Sequence, residues 1–96
     1  MIVAIDYDDT YTADPTAWSA VIRLLQEFGH KVVCVTQRVD PWMQEVHDAF
    51  EPLNVPVVSG GAPKVETAAE AGYFIDVWID DYPRGILVAR RFVGPD

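Results

Sequence analysis

Short apolar runs alternate along this chain with longer stretches in which apolar positions recur every three or four residues. Residues 2–6 are brief, β-branched and almost wholly apolar, which predicts a strand buried on both faces. Residues 10–14 form a turn region. Asp14-Pro15 then predicts a helix start, with an acid as N-cap and proline at the first helical position. Trp18, Val21, Ile22, Leu25 and Phe28 fall at helical spacing and predict a core-facing stripe, which Gly29 ends. Residues 31–36 predict a second buried strand. Asp40-Pro41 repeats the capped start, and Trp42, Met43, Val46, Ala49 and Phe50 supply the apolar face of a second helix. Residues 55–58 predict a third strand. It belongs at a sheet edge, because Pro56 has no N–H to donate. Ser59-Gly60-Gly61-Ala62-Pro63 turns into a third helix with Lys64 in its first turn and Gly72 at its end. Residues 74–79 predict a fourth strand with Trp78 in the core. Tyr82-Pro83-Arg84-Gly85 reads as a loop, and the periodicity of residues 86–93 fits a strand or a short helix equally well.

The alternation β-α-β-α-β-α-β predicts a single α/β domain over residues 1–96. Its sheet is parallel, of four to five strands, with right-handed crossovers and helices on both faces. Ligands of such sheets bind beyond the carboxyl ends of the strands. Asp6, Asp8, Thr36, Asp80 and Asp81 all stand at predicted strand C-termini, so positions far apart in sequence converge on one edge. Asp6 and Asp8 are two apart, and extended backbone would point both side chains the same way.

Composition narrows the function classes. Ninety-six residues, half of them hydrophobic and three of them Trp, suit one small globular domain. No apolar run approaches the ~20 residues of a membrane span, and no basic segment precedes the first apolar run, so neither a membrane anchor nor a signal peptide is expected. Cys34, the one cysteine, lies inside an apolar run and reads as a small core residue. No internal disulfide is possible, which fits a reducing cytoplasm. His30 and His47 read as surface residues. The formal charge is −8, and Asp6, Asp8, Asp9, Asp80 and Asp81 supply five of the negatives. Without a basic tract the chain is no general nucleic-acid binder. One terminal phosphate remains an accessible target, since a bound divalent cation offsets local negative charge.

The residues at the strand ends meet the needs of phosphomonoester cleavage: a nucleophile, charge neutralisation around phosphoryl oxygens, and a proton for the leaving group. Asp6 suits the nucleophile and Asp8 the proton donor that later activates water. Asp6 and Asp80 offer hard oxygen ligands for Mg²⁺. Thr36 can donate to a phosphate oxygen, Lys64 can bind another, and the N-terminus of the third helix adds favourable partial charge.

The ordered set Asp6-x-Asp8-x-Thr10, Thr36, Lys64 and Asp80-Asp81 resembles the haloacid dehalogenase superfamily, over residues 2–81. Each motif is weak alone; their order on a βα alternation is the signal. The resemblance implies a three-layer Rossmann-like core and phosphatase chemistry, with Asp6 as nucleophile and Asp8 as general acid/base. It implies Mg²⁺ held by the Asp6 side chain, the Asp8 backbone carbonyl and Asp80, with Asp81 acting at second remove or through water. Thr36 and Lys64 would bind the phosphoryl group. The Asp-Asp form of the last motif also occurs in nucleotidases and polynucleotide phosphatases of this family.

Two departures stand out. Asp9 occupies a position in a tight turn where relatives often have Gly, so it either strains that turn or takes the left-handed backbone, which Asp tolerates better than most residues. Only four residues separate Thr10 from the first helix, and no cap domain is inserted there or after the third strand, so the site should be open. A capless member takes large substrates or borrows a partner subunit as lid, so a homo-oligomer is one expectation. Arg38 is the candidate for an added substrate contact, Tyr82 could line the site, and Arg84, Arg90 and Arg91 read as surface or interface. A receiver domain uses similar residues in a different order, since here the third strand ends in Ser59 and Lys64 precedes the final acids. An EF-hand at Asp6 fails because Tyr11 and Ala17 replace the required Gly and Glu. The alternative from another class is a non-catalytic module that binds a metal or a phospho-ligand.

Overall fold

The computed structural model describes residues 1–89. Four strands, β1 (Ile2–Ile5), β2 (Lys31–Thr36), β3 (Val57–Ser59) and β4 (Val77–Ile79), form one sheet in the order β3-β2-β1-β4. Every pairing is parallel. The helices are α1 (Pro15–Glu27), α2 (Gln44–Phe50), α3 (Lys64–Glu70) and α4 (Arg84–Leu87). The fold is thus α/β with an all-parallel four-stranded sheet, and β3 is an edge strand as Pro56 predicted.

Period-2 alternation divides the core. Ile5, Val32 and Cys34 pack under α1 and α2, against Ile22, Val46 and Phe50. Ala4, Val33 and Val35 face the other way, against Ala68 of α3. The chain therefore steps outward through β1, β2 and β3 with its helices on one face, then crosses by α3 on the opposite face to reach β4 beside β1. That reversal makes the carboxyl ends of β1 and β4 the topological switch point of the sheet, the place where doubly wound sheets form a crevice and bind ligands. No described helix is long and apolar enough to cross a membrane.

Local chemistry explains the element ends. The Asp14 side chain accepts the Ala17 N–H (3.0 Å) at the start of α1, with Pro15 at its first position. Gly29 (φ 84°) and Gly72 (φ 89°) follow α1 and α3 in the left-handed conformation that suits glycine. Several boundaries differ from the sequence reading. The second helix begins at Gln44 and not at Asp40-Pro41, whose peptide bond is cis. The Trp42 carbonyl, which a longer helix would use, instead accepts from the Arg38 guanidinium (3.0 Å), and Val46 N–H turns to Met43. β4 starts at Val77 because Asp76 is spent on Ile2: its N–H reaches the Ile2 carbonyl (2.8 Å) and its carboxylate takes the Ile2 N–H (2.7 Å). β3 likewise starts at Val57. Arg84 and Gly85, read as loop, open α4. Residues 86 and 87 continue it as helix, while residues 90–93, Arg90 and Arg91 among them, lie outside the described residues.

The stripe on α1 also divides. Ile22 is buried, and Trp18 and Leu25 are partly so, but Val21 is 37% and Phe28 72% exposed. At about 100° per residue, Val21 and Phe28 sit roughly 100–120° from the Ile22 direction, too far round to reach the sheet.

Candidate active site

The site grows from the way β1 ends. Ile5 pairs with Ile79, so the next residues, Asp6 and Asp80, emerge side by side at the β1–β4 crevice. Asp6 remains tied to the sheet through its N–H, which donates to the Ile79 carbonyl (2.9 Å). Alternation puts Asp6 on the same face as Ala4, toward α3, and Tyr7 on the same face as Ile5. Lys64, at the first position of α3, crosses the opening. Its Nζ lies 2.8 Å from Asp6 Oδ1 and 2.6 Å from Asp80 Oδ2, and it is 4% exposed. Asp80 Oδ1 accepts the Tyr82 N–H (2.9 Å), which fixes the carboxylate's other end.

Asp81 joins the group through Thr10. The Thr10 hydroxyl lies 3.3 Å from Asp6 Oδ2 and 3.0 Å from Asp81 Oδ1, and it accepts the Asp81 N–H at 3.0 Å. Thr10 stands in the first motif, and the sequence signal for its role is a hydroxyl four residues past Asp6, one turn beyond the strand end. That turn is tight. Tyr11 N–H bonds back to the Asp6 carbonyl and Thr12 N–H to the Tyr7 carbonyl, and Asp9 takes the left-handed conformation (φ 61°), which Asp tolerates better than most residues. The Asp9 N–H donates to the Thr12 hydroxyl (2.9 Å).

The carboxylates of Asp6, Asp80 and Asp81 can each offer one oxygen within 4.8 Å of the others. Such a hard, anionic oxygen set fits a small divalent cation, with Lys64 balancing part of the charge. Burial is the main influence on Asp6: desolvation pushes its carboxyl up to about 7, against the opposing pull of the Lys64 ammonium. Burial would lower the Lys64 pKa, but Asp6 and Asp80 outweigh it and the ammonium is held above its ordinary range.

Asp8 does not point with Asp6. Because β1 ends at Ile5 and the chain turns over residues 7–10, the period-2 expectation fails there. The Asp8 carboxylate instead meets Arg38 in a two-pronged pair, Nε to Oδ2 at 2.8 Å and Nη2 to Oδ1 at 2.6 Å. Arg38 also donates to Glu45 and to the Trp42 carbonyl, and its guanidinium lies 5.2 Å from the Tyr7 ring centre. It is 4% exposed, so it is a buried hub and not a surface arginine. Its hydrogen bonds with Asp8 raise its pKa further above the ordinary value.

Thr36 is buried at the end of β2, and its hydroxyl accepts the Arg38 N–H (3.1 Å). Acting as acceptor there, it keeps its own hydrogen to donate. Tyr82 borders the acids and is 37% exposed. Gln37, not singled out from sequence, is buried between Thr36 and Arg38. Its amide nitrogen donates to the carbonyls of Gly85 and Val88, both at 3.2 Å, and so ties α4 to the end of β2. Nothing in the local pattern marks Gln37, Tyr7 or Glu45, because their partners come from other elements. Cys34 is fully buried, and desolvation holds its thiol well above the ordinary value, so it stays protonated. Comparisons with family models, with curated proteins and with solved structures find no match to this chain.

Proposed function

We propose that this chain is a Mg²⁺-dependent phosphomonoesterase of the haloacid dehalogenase type, on a capless, three-layer Rossmann-like core, working through an aspartyl-phosphate. The observation that carries the reading is Lys64 Nζ bridging Asp6 and Asp80 (2.8 and 2.6 Å) at the β1–β4 crevice, with Asp81 completing a three-carboxylate group. Asp6, Asp80 and Asp81 would hold Mg²⁺, which supplies positive charge against the phosphoryl oxygens. Lys64 then serves two ends: it balances the acids at rest and offers an N–H to a phosphoryl oxygen in the complex.

The chain's own groups perform the steps. An Asp6 oxygen attacks phosphorus, the bond from phosphorus to the leaving oxygen breaks, and Asp8 delivers a proton to that oxygen. In the second half, water attacks phosphorus, Asp8 takes its proton, and the acyl-phosphate P–O bond breaks to release phosphate and regenerate Asp6. Thr36 donates to the phosphoryl group. Arg38 reads as the holder of Asp8 in place of the substrate contact expected from sequence. With only short connections at residues 6–14 and 60–63 and no cap domain inserted there, the substrate class is a phosphorylated small molecule, a nucleotide, or the phosphorylated end of a polynucleotide.

A non-catalytic module is the second reading, and the grip of Arg38 on both Asp8 oxygens favours it. Hydrolysis of p-nitrophenyl phosphate decides. Turnover by the wild type that requires Mg²⁺ and disappears in Asp6→Asn is the expected result. Turnover that ignores Mg²⁺, or survives Asp6→Asn, overturns the mechanism. Mg²⁺ binding without turnover on any phosphate ester assigns the module.

A further inference from the structure

Asp8 sits on the turn after β1, and among the described residues Arg38 is the hydrogen-bond partner of its carboxylate. The aim of the proposed proton donor therefore depends on where Arg38 stands. A guanidinium on a long stem carries about 2 kcal/mol of rotamer entropy, so an arginine steadies a carboxylate only if it is itself held. Arg38 is held from three directions. Nε and Nη2 face Asp8, while Nη1, at the far end of the fork, donates to the Trp42 carbonyl (3.0 Å) and to Glu45. The Tyr7 ring covers one face of the guanidinium, 5.2 Å away. Tyr7 is buried. Burial first, and then the nearby Glu45 carboxylate, hold its hydroxyl above the ordinary pKa, so it stays protonated beside Glu45.

We infer that Glu45 is a positioning residue for Asp8, acting through Arg38. Of the two Nη1 acceptors, Trp42 offers only its main chain, whereas Glu45 brings a charge, and ionised partners make the stronger hydrogen bonds. Glu45 stands in the first turn of α2, whose Val46 and Phe50 are fully buried, so its carboxylate projects from a seated helix and not from a loop. An ion pair between two exposed side chains contributes little. Here the cation is 4% exposed, so water competes poorly for its end of the bond. Glu45 itself is 55% exposed and fills no core space, so what it contributes is that bond and not packing. The helix after β2 thus sets the orientation of a carboxylate after β1. The acid role of Asp8 rests on the phosphatase reading; its placement by Glu45 does not.

Nuclear magnetic resonance on the full chain in chelator tests the placement without turnover. In the wild type, and in Glu45→Gln, whose amide oxygen still accepts from Nη1, the Arg38 Nε–H should exchange slowly with water and Asp8 should hold one χ1 rotamer. In Glu45→Ala the Nε–H should exchange about tenfold faster and the Asp8 couplings should average over rotamers, while the amides of β1 and β2 keep wild-type protection. Hydrolysis of p-nitrophenyl phosphate should follow the same order. Glu45→Ala should lower kcat about tenfold at unchanged KM, and Glu45→Gln should stay within about threefold of the wild type. An Arg38 Nε–H or an Asp8 rotamer indifferent to Glu45→Ala overturns the inference. So does loss of protection throughout the sheet, which would make Glu45 a general prop of the fold. A raised KM at unchanged kcat overturns it too, by placing Glu45 against the substrate. A wild type without turnover removes the phosphatase reading alone, and the two resonance readouts still decide the role of Glu45.

Discussion

Asp6 is a carboxylate held where water is scarce, and its protonation couples to folding. Burial raises it from 3.8 to about 7. Between those values the folded metal-free chain holds a proton that the unfolded chain has lost, so stability falls as pH rises from about 4 to 7. Asp6→Asn removes the dependence. In chelator, the variant should match the wild type near pH 4 and exceed it at pH 8 by on the order of 2–4 kcal/mol, read from denaturant melts. Equal pH profiles would show that Lys64 dominates over desolvation. Arg38 makes a second test at this scale. Lysine keeps the charge but loses the fork, and one ammonium cannot serve Asp8, Glu45 and the Trp42 carbonyl together. Arg38→Lys should cost about 1–3 kcal/mol of stability. It should also lower kcat roughly tenfold with little change in KM, because Asp8 loses its orientation and the substrate loses no contact.

Among the elements, α4 is the one least able to stand alone. Four residues make a single turn, whose nucleation cost local hydrogen bonds do not repay. Gln37 supplies the anchor through Gly85 and Val88, and the approach is close: a Cβ on Gly85 would come 2.9 Å from the Gln37 amide oxygen. Gln37→Ala should therefore speed amide exchange in residues 84–88 selectively and cost about 1–2 kcal/mol. Uniform change across the sheet would mean that Gln37 acts on the core and not on α4. Because α4 follows directly from Asp80-Asp81, the same anchor steadies the acids.

For the whole molecule, the carboxylate group ties cation binding to stability. A Mg²⁺ ion that binds only the folded chain should add about 2.7 kcal/mol at a hundred times its dissociation constant. Thermal melts should shift upward with Mg²⁺, return with chelator, and lose the shift in Asp80→Asn. A shift that survives Asp80→Asn would place the ion elsewhere.

Apolar run lengths and turn residues were enough to set the α/β alternation, the edge position of β3 and the start of α1, since each follows from local geometry, whereas the structure decided that Asp9 takes the left-handed conformation. The strand-end acids were legible for the same reason. Where each acid points was not. Asp6 and Asp8 share a two-residue spacing, yet one faces Lys64 and the other Arg38, because β1 stops one residue before Asp6. Pairing with β4 and the crossing by α3 bring Lys64 to Asp6 and Asp80. The short α2 and the Gln37–α4 link likewise depend on partners distant in sequence. Sequence determined which groups stand at the carboxyl edge; the packing of α3 and β4 against β1 decided which of them meet.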